Sequence, residues 1–149
     1  MNISAKGKYA LQLLTYLGVW GNSGHPITLK QIAASEVLSD KYLWQVSSQL
    51  KAAGLIKSVS GPRGGFIMAM PASSITLAEA LAVFDPELFR RPDSGEEARA
   101  TNRTACSRVV EDKLKDLSRN LERMLISVTI GDLVEEYRSQ ETKASFYQI

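Results

Sequence analysis

Gly61-Pro62-Arg63-Gly64-Gly65 constrains this chain more than any other stretch. So much glycine around one basic residue supplies the unusual backbone angles of a tight, exposed turn. Two short apolar runs flank it, Leu55 to Ser60 and Phe66 to Met70, each of strand length. Together they read as a β-hairpin whose tip carries Arg63, and Pro71 ends the second strand.

Three helical segments precede the hairpin. Ser4 is placed to cap a first helix to about Trp20, with Ala10, Leu14 and Leu17 as its buried stripe, widened by Leu11 and Leu13. Gly21 to Pro26 reads as a turn. Thr28-Leu29-Lys30-Gln31 has the spacing of a capping box and opens a short helix over Leu29 to Ser35. Ser39 is the expected cap of a third helix, Asp40 to Ala53, stopped by Gly54. Leu43, Val46 and Leu50 supply its apolar face, while Trp44 fits the core or the outside equally well. Beyond the hairpin, Thr76-Leu77-Ala78-Glu79 starts another capped helix, to about Val83.

The second half is organised differently. Asp85 to Thr104 is charged, contains Pro86, Pro92 and Gly95, and reads as a loop. From about Cys106, the residues Val110, Leu114, Leu117, Leu121, Met124 and Val128 alternate spacings of four and three, a heptad-like stripe. Such a stripe packs either inside its own chain or against a partner. Thr129-Ile130-Gly131-Asp132 is expected to cap a last short helix through Tyr137, with a polar, frayed tail after Arg138. The chain thus divides into residues 1–84, a loop at 85–104, helices over 105–138, and a flexible tail at 139–149. The fold class is mainly α with a small β wing.

Charge follows the same division. Residues 1–70 carry seven Lys or Arg against two acids, whereas residues 71–149 carry eleven against fourteen. A basic half joined to an acidic half suits a nucleic-acid-binding module with a separate assembly or sensing module. No stretch approaches the roughly 20 apolar residues needed to span a bilayer. The run from Tyr9 to Trp20 is short, interrupted by Gln12 and Thr15, and lacks a cleavage pattern, so neither a signal peptide nor a membrane partner is expected. A single cysteine, Cys106, rules out an intramolecular disulfide framework and suits a reducing cytoplasm. With one histidine besides, an all-Cys/His metal site within one chain is not expected. Neither paired carboxylates nor a nucleophile–base arrangement stands in a sensible context, and the glycine-rich turn lacks the lysine and hydroxyl of a nucleotide loop. The reading is therefore not enzymatic.

Three helices and a glycine-rich hairpin describe a winged helix-turn-helix, in which the second helix of the pair enters the major groove and the wing lies over phosphate or minor groove. The candidate recognition helix offers Lys41, Tyr42, Gln45, Ser48 and Gln49 on its outer face. Glutamine bridges both edges of adenine, serine donates and accepts, and lysine and tyrosine reach phosphate or base edges.

The order of elements and the segments ISAKGKYAL (Ile3 to Leu11), SDKYLWQ, LKAAGLIKSVSGPRGGF (Leu50 to Phe66) and SSITLAEAL resemble the Rrf2 family of bacterial transcription regulators. The resemblance is strong over residues 2 to about 85 and looser beyond. It implies a homodimeric transcription regulator on a palindromic operator in double-stranded DNA, by analogy a repressor, with a long C-terminal helix crossing to the partner. DNA contacts would come from Ser39, Lys41, Tyr42 and Gln45, from Ser60, Gly61, Arg63 and Gly64 in the wing, and from Lys6 or Lys8 near the backbone. Trp44 stands where the family often has an acid, and Ser60 where it often has arginine. Trp44 cannot accept from cytosine N4, so a different target sequence is expected.

Many relatives hold an iron–sulfur cluster with three cysteines between the wing helix and the long helix. This chain has only Cys106 near the last of those positions, so no conventional cluster is expected, and a cluster completed by other residues or by the partner chain is the lesser alternative. Cys106 has an alternative use as a redox sensor, since a helix start near Arg103 and Arg108 favours reactivity toward oxidants or an intersubunit disulfide. It also fits the quieter role of a small hydrophobe. A bound effector or partner protein leaves no readable motif. A competing reading from another class is a protein–protein adaptor that uses the winged helix as a docking surface.

Overall fold

The computed structural model describes residues 2–21, 25–89 and 104–147. Its first helix, α1 (Ala5–Trp20), starts where the Ser4 hydroxyl accepts the Gly7 N–H at 3.0 Å. Ala10, Leu13, Leu14 and Leu17 form its fully buried stripe and the centre of the core. Asp85 reaches across 81 residues to accept the Ser4 N–H at 3.2–3.3 Å, which anchors the start of α1 to the far side of the module.

In α2 (Leu29–Glu36) the predicted box is present in both directions: Gln31 N–H to Thr28 Oγ1 at 3.2 Å, and Thr28 N–H to Gln31 Oε1 at 2.9 Å. It ends at Val37, which is 91% exposed and has φ 54°. A β-branched side chain in the left-handed region is strained. Next comes α3 (Asp40–Ala52). Ser39 holds its N-cap position, but the side chain makes no capping hydrogen bond, contrary to the expectation. Its C-terminus is closed as a Schellman motif: Leu55 N–H bonds Leu50 O and Gly54 N–H bonds Lys51 O, both at 3.0 Å, with Gly54 at φ 76°.

The hairpin consists of β1 (Ile56–Val59) and β2 (Gly65–Met68), antiparallel, with Ile56 opposite Met68 and Val59 opposite Gly65. Phe66 also pairs outward with Ile27, through N–H···O bonds of 2.8 and 3.0 Å. This seam needs glycine beside it, because a Cβ on Gly65 would come within 2.6 Å of the Ile27 backbone.

After a 3-10 turn (Ala72–Ser74), the short helix α4 (Leu77–Ala82) begins with the Thr76–Glu79 box. Pro86–Phe89 forms a further 3-10 turn within the segment expected to be a loop; residues 90–103 lie outside those described. The long helix α5 (Ala105–Ser127) packs on α4 and has no buried residue.

Two expectations for the C-terminal half need correction. Val128 is not the last position of the helical stripe: it is extended and half-buried, and its carbonyl accepts the Leu77 N–H at 2.8 Å. With the Thr76–Thr129 bridge and the Ile130 N–H to Ile75 O bond at 2.8 Å, it belongs to a seam within its own chain. The last helix is not short, nor is its tail frayed after Arg138: α6 runs Ile130–Tyr147. Good helix formers and local bonds such as Gln140 Nε2 to Glu136 Oε1 at 3.0 Å carry it as a solvated helix. Its first turns bury Ile130 and Val134 in the core beside α1. Gly18 makes this approach possible, since a Cβ there would meet Val134 Cγ2 at 2.6 Å. Among the described residues no helix is long and apolar enough to cross a membrane.

Candidate nucleic-acid interface

The outer face of α3 follows from its inner one. Leu43, Val46, Ser47 and Leu50 are buried, which turns the positions between them to solvent. Lys41, Ser48 and Gln49 are exposed, Tyr42 is 43% exposed and Gln45 is half-buried. Trp44, left open by the sequence, is 66% exposed and so belongs to this outer face. Ser47 shows how a hydroxyl is accommodated on the inner one: it donates to Trp44 O at 2.9 Å. Ser39 is exposed, and with no capping bond to make, its hydroxyl is available at the start of the helix.

Tyr42 is held by a ring contact with Tyr9 of α1, centroids 5.6 Å apart and tilted by 39°. The contact joins the first turn of α3 to the region of α1 that carries Lys6, half-buried, and Lys8, exposed. These lysines and the outer face of α3 therefore come from elements in direct contact.

At the wing tip, Gly64 N–H bonds Gly61 O at 2.9 Å and closes the turn. Ser60, Gly61 and Arg63 are exposed and Gly64 is half-buried. Arg63 has no carboxylate partner among the described residues, so its charge is uncompensated. Lys57 adds a second exposed cation on β1. The Ile27–Phe66 pairing ties the base of the wing to the residue just ahead of α2, so wing and helix pair share one frame.

The second candidate surface is on α5. Val110, Leu114, Leu117, Leu121 and Met124 are 44–64% exposed, on one stripe. Ser107, Glu111, Lys115, Glu122 and Leu125 are half-buried along an adjoining face, so contact with the rest of the chain leaves the apolar stripe open. Burial of such a side chain contributes roughly 1.5–3 kcal/mol when complete, and about half of that here, where part is already covered. Cys106 is exposed in the first turn of the same helix, and Arg103 lies outside the described residues.

Comparison with known proteins identifies the family. The family model Rrf2, described as "Iron-dependent Transcriptional regulator", matches residues 3–136. The HTH-type transcriptional regulator IscR of Klebsiella pneumoniae (strain 342) is 30% identical over 138 residues, covering 90% of this chain and 80% of that protein. The structure of CymR, the global cysteine regulator of B. subtilis, superposes with a TM-score of 0.75 at 26% identity, over 91% of this chain and 98% of that one. T. potens IscR gives 0.69 at 28% identity, over 92% and 88%. Iron held by several thiolates does not fit the donors present. The chain has one cysteine, and no three His, Cys, Asp or Glu among the described residues are grouped to hold a metal ion.

Proposed function

Because the chain belongs to the Rrf2 family of transcriptional regulators, we propose that it is a homodimeric repressor that reads a palindromic operator in double-stranded DNA. It acts in the cytoplasm, performs no catalysis, and works without a conventional three-cysteine iron–sulfur cluster. The observation that carries this reading is the exposed face of α3 set in one frame with a wing whose tip presents Arg63.

In this reading α3 lies in the major groove. Gln45 and Gln49 address adenine edges, Ser48 donates or accepts, and Trp44 offers an apolar surface suited to a thymine methyl group. Ser39, Lys41, Tyr42, Lys6 and Lys8 hold phosphates and fix the register. Ser60, Gly61, Arg63 and Gly64 follow the adjacent backbone or minor groove. The stripe Val110, Leu114, Leu117, Leu121 and Met124 runs along a 23-residue helix and supports pairing with a second copy. At 1.5 Å per residue this helix is about 35 Å long. Repression follows from occupancy, a bound dimer obstructing polymerase.

Binding of the purified protein to genomic fragments at several salt concentrations, with the bound fragments sequenced, tests this. The expected result is enrichment of a palindromic site, with Arg63→Ala lowering the slope of log affinity against log salt by about two, roughly one for each protomer's wing. Weak binding without preferred fragments at any salt favours the adaptor reading instead. The exposure of Cys106 favours a second reading, thiol-based redox control. A reductant effect on operator binding that disappears in Cys106→Ser establishes it, and an unchanged affinity in both proteins removes it.

A further inference from the structure

A cavity of about 310 Å³ opens between α1, α6 and the C-terminal end of α2. That volume lies at the lower end for small-molecule sites. Leu11 and Leu133 form part of its apolar wall, and three aromatic residues, Tyr16, Trp20 and Tyr137, line it further. Tyr16 and Trp20 already lean together, centroids 6.2 Å apart at 45°, and Trp20 is 54% exposed. Two carboxylates, Glu36 and Glu136, enter the lining, and among the described residues no lysine or arginine does. Glu136 accepts one bond, from Gln140 Nε2. Glu36 is half-buried with no hydrogen bond or ion pair among the described residues. The Tyr137 hydroxyl is pushed above its ordinary range, first by burial and then by the fields of Glu141, Glu36 and Tyr16.

Aromatic faces and unneutralised carboxylates around one small cavity are the chemistry that recognises an organic cation: the rings attract through their quadrupoles, the carboxylates by charge. We propose that this cavity is an effector site for a small organic cation, an alkylammonium or guanidinium compound, held between Glu36 and Glu136 against Tyr16, Trp20 and Tyr137. Glu36 is the last residue of α2, and the strained Val37 turn leads from it directly into α3. A cation bridging Glu36 to α6 therefore fixes the helix pair against the scaffold and changes affinity for DNA. By linkage, DNA changes affinity for the cation by the same factor. This regulatory half rests on the DNA-binding reading; the cation site does not.

The chain has two tryptophans, so Trp44→Phe leaves Trp20 as the single reporter. Choline and agmatine are titrated into that variant by fluorescence, with 3,3-dimethylbutan-1-ol as the uncharged match to choline. At least one cation is expected to saturate at micromolar to low millimolar concentration, and for choline at least tenfold more tightly than its uncharged match. Glu36→Gln and Glu136→Gln should each weaken binding about tenfold while leaving the thermal midpoint within a few degrees. No saturation with either cation, equal binding of the uncharged match, or indifference to both Glu substitutions in a folded protein overturns the site. So does cation binding that weakens as protein concentration rises, which would make the groove a contact between copies. Operator affinity of the unsubstituted protein is then measured with and without the tighter cation. A shift supports the regulatory half, and an unchanged affinity overturns it while the site stands. Failure to bind DNA at all removes the operator reading and is read independently of the fluorescence titration.

Discussion

Helices α1 and α5 carry apolar stripes that look alike in sequence, yet their fates differ. In α1, Leu13, Leu14 and Leu17 are at most 1% exposed, whereas in α5 no residue is buried and five apolar side chains of its stripe face outward. The difference lies in what surrounds each helix. α1 is covered by α3, α4 and α6, while α5 meets α4 along one narrow face. One helix is held by its own chain, and the other leaves its apolar stripe open among the described residues.

Substitutions can break this contrast. The largest effect is expected from Leu14→Ala, which opens a cavity in a filled core and should cost about 2–5 kcal/mol in denaturant unfolding, independent of protein concentration. Leu117→Ala should cost about 1–2 kcal/mol, but as dimer affinity measured by sedimentation, with a loss that depends on concentration. If the α5 substitution instead lowers stability equally at all dilutions, the stripe serves its own chain and the contrast fails. A control unrelated to burial is Val37→Gly. Relieving the left-handed valine should raise stability by about 1 kcal/mol by thermal melt, without altering self-association. The smallest effect concerns the junction that returns the chain from α5 to α1. Asp132 accepts Thr129 N–H at 2.7 Å, and that backbone bond, then the threonine hydroxyl, holds its carboxyl below the ordinary value of 3.8. The ionised form is thus favoured on folding. Its contribution is complete above the unfolded pKa and is lost as pH falls through the lower folded one. Asp132→Asn should therefore melt earlier than the parent at neutral pH, with the gap closing below about pH 3.8.

Local chemistry made much of the fold legible. The Thr28–Gln31, Thr76–Glu79 and Thr129–Asp132 boxes all form, since each needs only residues three apart. Gly54 and the glycine-rich tip likewise mark turns that depend on their own backbone. What failed was tertiary. Val128 continues the spacing of α5, but the seam with Leu77, a residue far from it in sequence, takes it out of the helix. The polar residues after Arg138 suggested fraying because polarity was weighed above their helix propensity. The exposed face of α3 was readable from its spacing, apart from the direction of Trp44, which depends on how the core fills. The acidic, aromatic cavity was not readable at all, because it joins residues 16, 20 and 36 to 136 and 137.

The hydrogen-bonded seam between Ile27 and Phe66 has a consequence for target selection. By stitching the wing to the entrance of α2, it makes the distance from wing tip to recognition helix a property of the fold, like the gap between two teeth of a comb. On the operator, one inserted base pair lengthens the helix by about 3.4 Å and turns it by roughly a tenth of a revolution. An insertion inside a half-site would thus put one tooth out of phase, and the module has no joint there to absorb it. If the proposed dimer on a palindromic operator forms, tolerance for spacing has to come from between the half-sites, where its two copies would meet.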